Sequence, residues 1–330
     1  MRIARIIALV VIGIAILWGG YFIYQDSLTT PYVPIEKHQA FKWKTFAIPE
    51  SITFAGERIP LDDPEVRERL DRELHINTYY NSNTIFVIKR ANRWFEQIEA
   101  VLKEQGVPDD FKYLAVIESN LMNGRSHKGA VGFWQLLEPT AKELGLEVTT
   151  QVDERFDPIK STYAACKYLK KAYARFDNWT NVAASYNMGM YGLHKQLVEQ
   201  DVDSYYDLWL NEETARYVFR IIALKIIMED PETYGYDIPR HQLYQAPELR
   251  LLEVKESIPD LVTFSIAQGI NFKILKQYNP WLRDKKLTLG KDRSSYTLAI
   301  PENPPTTLQY KDLGVPDSLE ESRLKMSGEI

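Results

Sequence analysis

The sequence predicts a mainly α protein, a helical domain followed by a small α+β module, and three features carry that prediction. Apolar residues recur at helical spacing through the first two thirds of the chain, helix starts are marked by Asp before Pro, and after Pro239 the pattern breaks into short runs. The sharpest stripe is Phe111, Leu114, Ala115 and Glu118, spaced i, i+3, i+4 and i+7. A carboxylate on that stripe looks inward. Burial disfavours its charged form, so Glu118 can hold a proton near neutral pH and donate it. The alternative is a helix-terminal Glu that bends out to pair with Arg125 or Lys128.

The elements follow in chain order. Asp63 and Pro64 give a capped start to a first helix, and residues 85–105 carry Ile98, Val101 and Leu102 on one side before Gly106 stops them. Asp157 and Pro158 start a helix expected over 158–175, with Ala165, Leu169, Ala172 and Phe176 as its stripe. A short helical run from Thr180 ends at Gly189. Residues 217–228 are apolar on more than one face, which predicts a helix packed in the centre of the domain. Beyond Pro239, residues 249–254 and 296–300 read as strands, and 262–269 and 271–278 as short helices.

Composition bounds the function. With 330 residues, 45% of them hydrophobic, the chain can bury one sizeable core and a smaller second one. A net charge of −5 supplies no basic stripe, so nucleic acid is not an expected partner. Cys166 is the only cysteine, which excludes an intrachain disulfide and a cysteine metal cluster; beside the 158–175 stripe it reads as a half-buried, inert thiol. His38, His75, His127, His194 and His241 lie at no metal-ligand spacing, so neither metal nor cofactor is expected.

The amino terminus reads as an address. The run 6–24 is uncharged and apolar, long enough to approach a membrane span, and Arg2 and Arg5 before it should stay cytoplasmic. Its end lacks a clear small-x-small cleavage site, which favours an uncleaved anchor over a signal peptide, and no Cys stands there to carry a lipid. The expected organisation is an anchor over 1–24, an extended linker over 25–53 with Pro31, Pro34 and Pro49, a helical domain over 54–240, the module over 241–303 and a disordered tail over 304–330.

Four motifs stand in register in the helical domain: Glu118-Ser119; the glycine-rich 129–135 stretch ending in Phe133, Trp134 and Gln135; Ser185-Tyr186-Asn187-Met188-Gly189; and Glu213-Thr214-Ala215-Arg216-Tyr217-Val218. Together they resemble the catalytic (SLT) domain of the lytic transglycosylases, lysozyme-like enzymes that cleave the glycan of bacterial peptidoglycan. The resemblance covers about 54–236, with a weaker extension to residue 301. Ser185 departs from the family's usual Ala, a small-for-small change. The module resembles LysM, a family that binds glycans containing N-acetylglucosamine. Its departures are Ile258-Pro259-Asp260 before the first helix and a stretched segment after Asn279.

The resemblance implies a reaction with one carboxyl where most glycosidases use two. Glu118 would be the catalytic acid and then base; Ser119, Gln135, Tyr186, Asn187, Glu213 and Tyr217 would contact substrate or complete the cleft. Cleavage of the MurNAc–GlcNAc β-1,4 bond would leave 1,6-anhydro-MurNAc ends, and the 2-acetamido group could support the oxocarbenium-like charge. The implied partners are peptidoglycan strands and, through the anchor, the inner membrane, with the enzyme a monomer on its periplasmic side. Two rivals remain. A goose-type lysozyme would need a second acid such as Asp153 or Asp157, and a non-catalytic peptidoglycan-binding scaffold would have no use for a buried acid. Because every motif lies before Tyr236, the module is expected to be dispensable for catalysis on soluble glycan.

Overall fold

The computed structural model describes Trp18, Tyr21, residues 44–290 and residues 293–304. The expected anchor, except for Trp18 and Tyr21, the greater part of the linker and the tail beyond residue 304 lie outside the described residues. Among those residues no helix is long and apolar enough to cross a membrane. The linker expected to reach residue 53 joins the fold earlier. From Phe46, whose ring lies 5.2 Å from that of Tyr234, the chain packs on the helical domain, and Ile48 is buried.

A two-residue hairpin opens the domain, β1 (Thr53–Phe54) and β2 (Glu57–Arg58), turned through Ala55 and Gly56 at φ 52° and 82°. Helix α1 (Pro64–Tyr79) starts on Asp63, whose side chain accepts from the Glu65 N–H, and buries Val66, Leu70 and Leu74. Helix α2 (Asn81–Gln105) buries Val87, Ala91, Ile98 and Leu102 and ends at Gly106, φ 66°. Then come α3 (Lys112–Ser119), α4 (Glu138–Glu143) and α5 (Pro158–Phe176). The Asp157 carboxylate caps α5, accepting from the Ile159 and Lys160 N–H groups at 3.0 Å each. Helix α6 (Trp179–Met188) is capped twice. Asn178 accepts from the Asn181 N–H, and the Glu57 carboxylate, from the hairpin, accepts from the Thr180 N–H at 2.9 Å.

Gly189, at φ 80°, separates α6 from α7 (Met190–Gln200). Helix α8 (Glu212–Glu229) is the central one, buried at Tyr217, Val218, Phe219, Ile221, Ile222 and Ile226, and it packs on α1, α3 and α6. An all-round apolar surface requires neighbours on every side, and here they exist. Cys166 is fully buried rather than half-buried, because α5 is covered by both α2 and α6; burial pushes its thiol up to about 12.

The module is β3 (Leu249–Val254), α9 (Leu261–Ala267), α10 (Phe272–Tyr278) and β4 (Tyr296–Pro301). The strands pair antiparallel from Leu249 opposite Pro301 to Val254 opposite Tyr296. Tyr296, Leu298 and Ile300 alternate inward against Leu261, Ile274 and Leu275. Asn279 is wholly buried and satisfied: Nδ2 donates to the Leu275 and Ala299 carbonyls, and Oδ1 accepts from the Ala299 N–H at 2.8 Å. That residue ties α10 to β4.

This module is no free appendage. Its hydrophobic core includes Val131, Val152 and Phe156 from the helical domain. The Asp153 N–H donates to the Trp281 carbonyl at 2.9 Å and the Arg283 N–H to the Gln151 carbonyl at 2.7 Å. The Arg283 guanidinium lies 4.2 Å from the Phe156 ring centre, and Arg293 pairs with Glu154 at 2.8 Å. Most of the docking residues come from the segment after Asn279 that departs from the LysM pattern.

Candidate active site

Glu118 stands at the last turn of α3, after the buried Phe111, Leu114 and Ala115. The helix ends in two left-handed residues, Asn120 at φ 52° and Leu121 at φ 55°. The Arg90 Nε donor, at 2.6 Å from the Asn120 carbonyl, holds this turn. The stop is therefore fixed by α2, and it leaves the Glu118 side chain partly exposed at the helix end.

The Tyr217 hydroxyl, from the second turn of α8, donates to Glu118 Oε1. Burial pushes the Glu118 carboxyl up to about 7. The Tyr217 hydrogen bond and the positive charge of Arg220 pull it down, and the negative charge of Glu213 adds to the rise. Desolvation wins. Neither Arg125 nor Lys128 takes the carboxyl; Arg125 lies 3.9 Å from Asp153 instead.

Tyr186, on α6, donates its hydroxyl to the Trp134 carbonyl at 2.7 Å, and its ring lies edge-on to Tyr168, 5.1 Å between centres. Burial, and next the charge of Glu118, hold the Tyr186 phenol far above its ordinary value. Ser185 is buried with its hydroxyl on the Val182 carbonyl at 2.7 Å, so the extra oxygen is satisfied within α6. Asn187 follows at the half-buried end of the helix.

The 129–135 loop is anchored on both sides. Phe133 and Trp134 sit in the main core, where Trp134 Nε1 donates to Thr162 Oγ1 at 2.8 Å, while Val131 sits in the core of the module. Gln135, at φ 45°, turns its amide back to the Gly132 carbonyl at 2.8 Å. Beneath the loop lies Arg155, buried and paired with Asp153 through Nε to Oδ1 at 2.9 Å and Nη2 to Oδ2 at 2.8 Å. Its Nη1 donates to the Gly129 and Leu136 carbonyls. Gly132 passes so close that an added Cβ would stand 1.9 Å from the Arg155 carbonyl oxygen.

The structure thus brings Glu118, Tyr217 and Tyr186 together, with Gln135 one residue beyond the carbonyl that Tyr186 holds. Ser119 donates its hydroxyl to the Ala115 carbonyl at 3.1 Å, so the direct bond to the carboxyl comes from Tyr217. Glu213 is exposed and reaches Glu118 through its charge. Sequence reasoning missed Arg220, although it lies one turn beyond Tyr217 on α8, and gave Arg155 no role, because no periodicity signals its burial. Glu118 does not line the 360 Å³ concavity at Met188, Gly192 and Trp209, off the end of α6. Among the described residues no group of His, Cys, Asp and Glu is arranged to hold a metal ion.

The helical domain thus sets one half-buried acid beside two phenols and a glycine-rich loop. Residues 96–207 match the family described as Transglycosylase SLT domain, and residues 250–304 match the family described as Soluble lytic transglycosylase C-terminal LysM-like domain. The chain therefore carries an SLT transglycosylase domain and, behind it, a LysM-like C-terminal domain. It is 26% identical over 255 residues to Membrane-bound lytic murein transglycosylase D of Escherichia coli (strain K12), covering 74% of this chain and 54% of that protein. The corresponding protein of Escherichia coli O6:H1 matches equally. The chain thus spans about half the length of the curated relatives it matches. A solved structure, an inactive mutant of lytic transglycosylase Slt from Pseudomonas aeruginosa, is similar at 17% identity and TM-score 0.34, over 56% of this chain and 36% of that one.

Proposed function

We propose that this chain is a peptidoglycan lytic transglycosylase that cleaves the MurNAc–GlcNAc β-1,4 bond and leaves 1,6-anhydro-MurNAc ends. The carrying observation is Glu118, a single carboxyl raised to about 7 by burial and oriented by one phenol. At neutral pH such a group is divided between acid and carboxylate, which is what one residue acting first as acid and then as base requires. Protonated Glu118 gives its proton to the glycosidic oxygen as the C1–O bond breaks. The carboxylate then takes the proton of the muramic C6 hydroxyl as that oxygen bonds to C1. The proton count closes on Glu118, and no water is consumed.

The hydrolytic alternative needs a second acid to activate water. Asp153 is committed to Arg155, and Asp157 to the first turn of α5. Ser119, Gln135, Asn187 and Glu213 are proposed to contact the sugars around Glu118. An N-terminal anchor on the periplasmic side of the inner membrane accords with the membrane-bound relatives and with the 6–24 run. The test is digestion of purified peptidoglycan followed by mass analysis. Products lighter by one water than lysozyme products are expected; reducible muramic ends as the main product would move the assignment to a hydrolase.

A further inference from the structure

We infer that the C-terminal module positions the substrate loop, and that Trp281, Leu282, Thr288 and Arg293 form the clamp. The chain of contacts is continuous. Trp281 holds the Asp153 N–H through its carbonyl; Asp153 holds the buried Arg155 guanidinium with both oxygens. Arg155 in turn holds the Gly129 and Leu136 carbonyls at the two ends of the loop. Val131, inside the loop, belongs to the module's own core, which also holds Leu282. The loop that carries Gln135 is thus the seam between two hydrophobic cores, and its shape depends on both.

The seam is reinforced from outside. The Thr288 N–H donates to Gln151 Oε1 at 3.0 Å. Arg293 bridges Glu154 at 2.8 Å and Glu147 at 3.3 Å, and the Tyr296 hydroxyl reaches Glu147 at 3.0 Å. Lys160 of α5 lies 5.1 Å from the Trp281 ring centre. A module free to swing on a linker would not bury Trp281 and Leu282 against the catalytic domain. It would not share a guanidinium-held loop with it either. A module that clamps this loop is not expected to be dispensable for catalysis on soluble glycan.

The catalytic half of this inference rests on the transglycosylase reading, while the positioning half does not. The test uses the full chain carrying Gln151→Ala with Arg293→Ala, two residues outside both hydrophobic cores, and Leu282→Asp as a second variant that puts a charge into the joint. Hydrogen exchange is read at the Ser126, Gly129, Val131, Gly132 and Leu136 amides, which the loop's own hydrogen bonds protect. Exchange there is expected to speed up on the order of 10-fold while α1 and α8 stay protected, with kcat falling about 10-fold. The pH midpoint near 7 set by Glu118 should stay where it is. Gln151→Ala with Arg293→Lys should recover most of the protection. Unchanged loop exchange in both variants, or loss of protection spread over the whole chain, would overturn the clamp; a faster loop with unchanged kcat would overturn its catalytic role. A parent protein inactive on peptidoglycan whose variants still loosen the loop would count against the functional reading alone.

Discussion

Tyr217 donates its hydroxyl to Glu118 Oε1 across 99 residues of sequence, joining the central helix α8 to the end of α3. The Tyr217 end of this bond is in apolar surroundings, and the Glu118 end is half-buried. Tyr217 is buried among Val218, Ile221 and their neighbours, and burial, then the Glu118 charge, keeps its phenol protonated far above the ordinary range. Tyr217 is therefore a fixed donor. The acid it holds is the group that titrates.

Removing that donor should move the acid in a definite direction. In Tyr217→Phe the bond that favours the Glu118 carboxylate is gone while the burial remains, so the carboxyl should titrate above its present value near 7. The alkaline limb of the rate profile should shift to higher pH. Turnover at the optimum should fall on the order of 10-fold, because the carboxyl loses its orienting partner. A pH–rate profile of the variant checks both; an alkaline limb that stays in place would show that Tyr217 is only core packing.

Much of this arrangement was legible in the sequence because it is written in local rules. Asp63 before Pro64, Asp157 before Pro158 and Gly106 after Gln105 mark ends that the structure places within a residue or a few of the expected positions. The inward-facing Glu118 followed from a four-residue stripe. Arg155 did not, because a guanidinium in the text of a turn reads as surface, and its burial is tolerated only through partners up to 26 residues away. The docking segment was equally opaque. Residues 279–295 look like a stretched loop until Trp281 and Leu282 meet Val152, a contact between parts of the chain that no periodicity links.

Gly132 gives a local test of the loop beneath which Arg155 lies. Its φ of 81° is in the left-handed region, and a methyl group there would collide with a backbone carbonyl that has no rotamer to escape through. Gly132→Ala should cost on the order of 1–3 kcal/mol of stability, read by thermal unfolding. The same variant should lose turnover more than a surface Gly124→Ala control, whose added Cβ meets nothing within 4 Å. Equal stability and equal turnover in the two variants would show that the close approach at Arg155 is not a constraint.

Glu118→Gln separates catalysis from folding, and pH decides the sign of its effect on stability. The carboxyl sits near 4.5 when the chain is unfolded and near 7 when folded, so the native state binds the proton more tightly. The stability this contributes is fully present below about 4.5 and is lost as pH rises through about 7, where the folded protein must carry a buried charge. The ceiling on that loss is on the order of 3 kcal/mol. A neutral amide neither gains nor loses protons, so the variant should hold a flatter stability over this window and be the more stable protein at pH 8. Its turnover should fall by at least ~10²-fold, the lower range of what a positioned acid–base group supplies. Thermal unfolding at pH 4.5, 6 and 8 and muropeptide release on the same preparation read the two effects. A folded variant that still releases muropeptides would leave Glu118 a structural acid and remove the basis for its catalytic role.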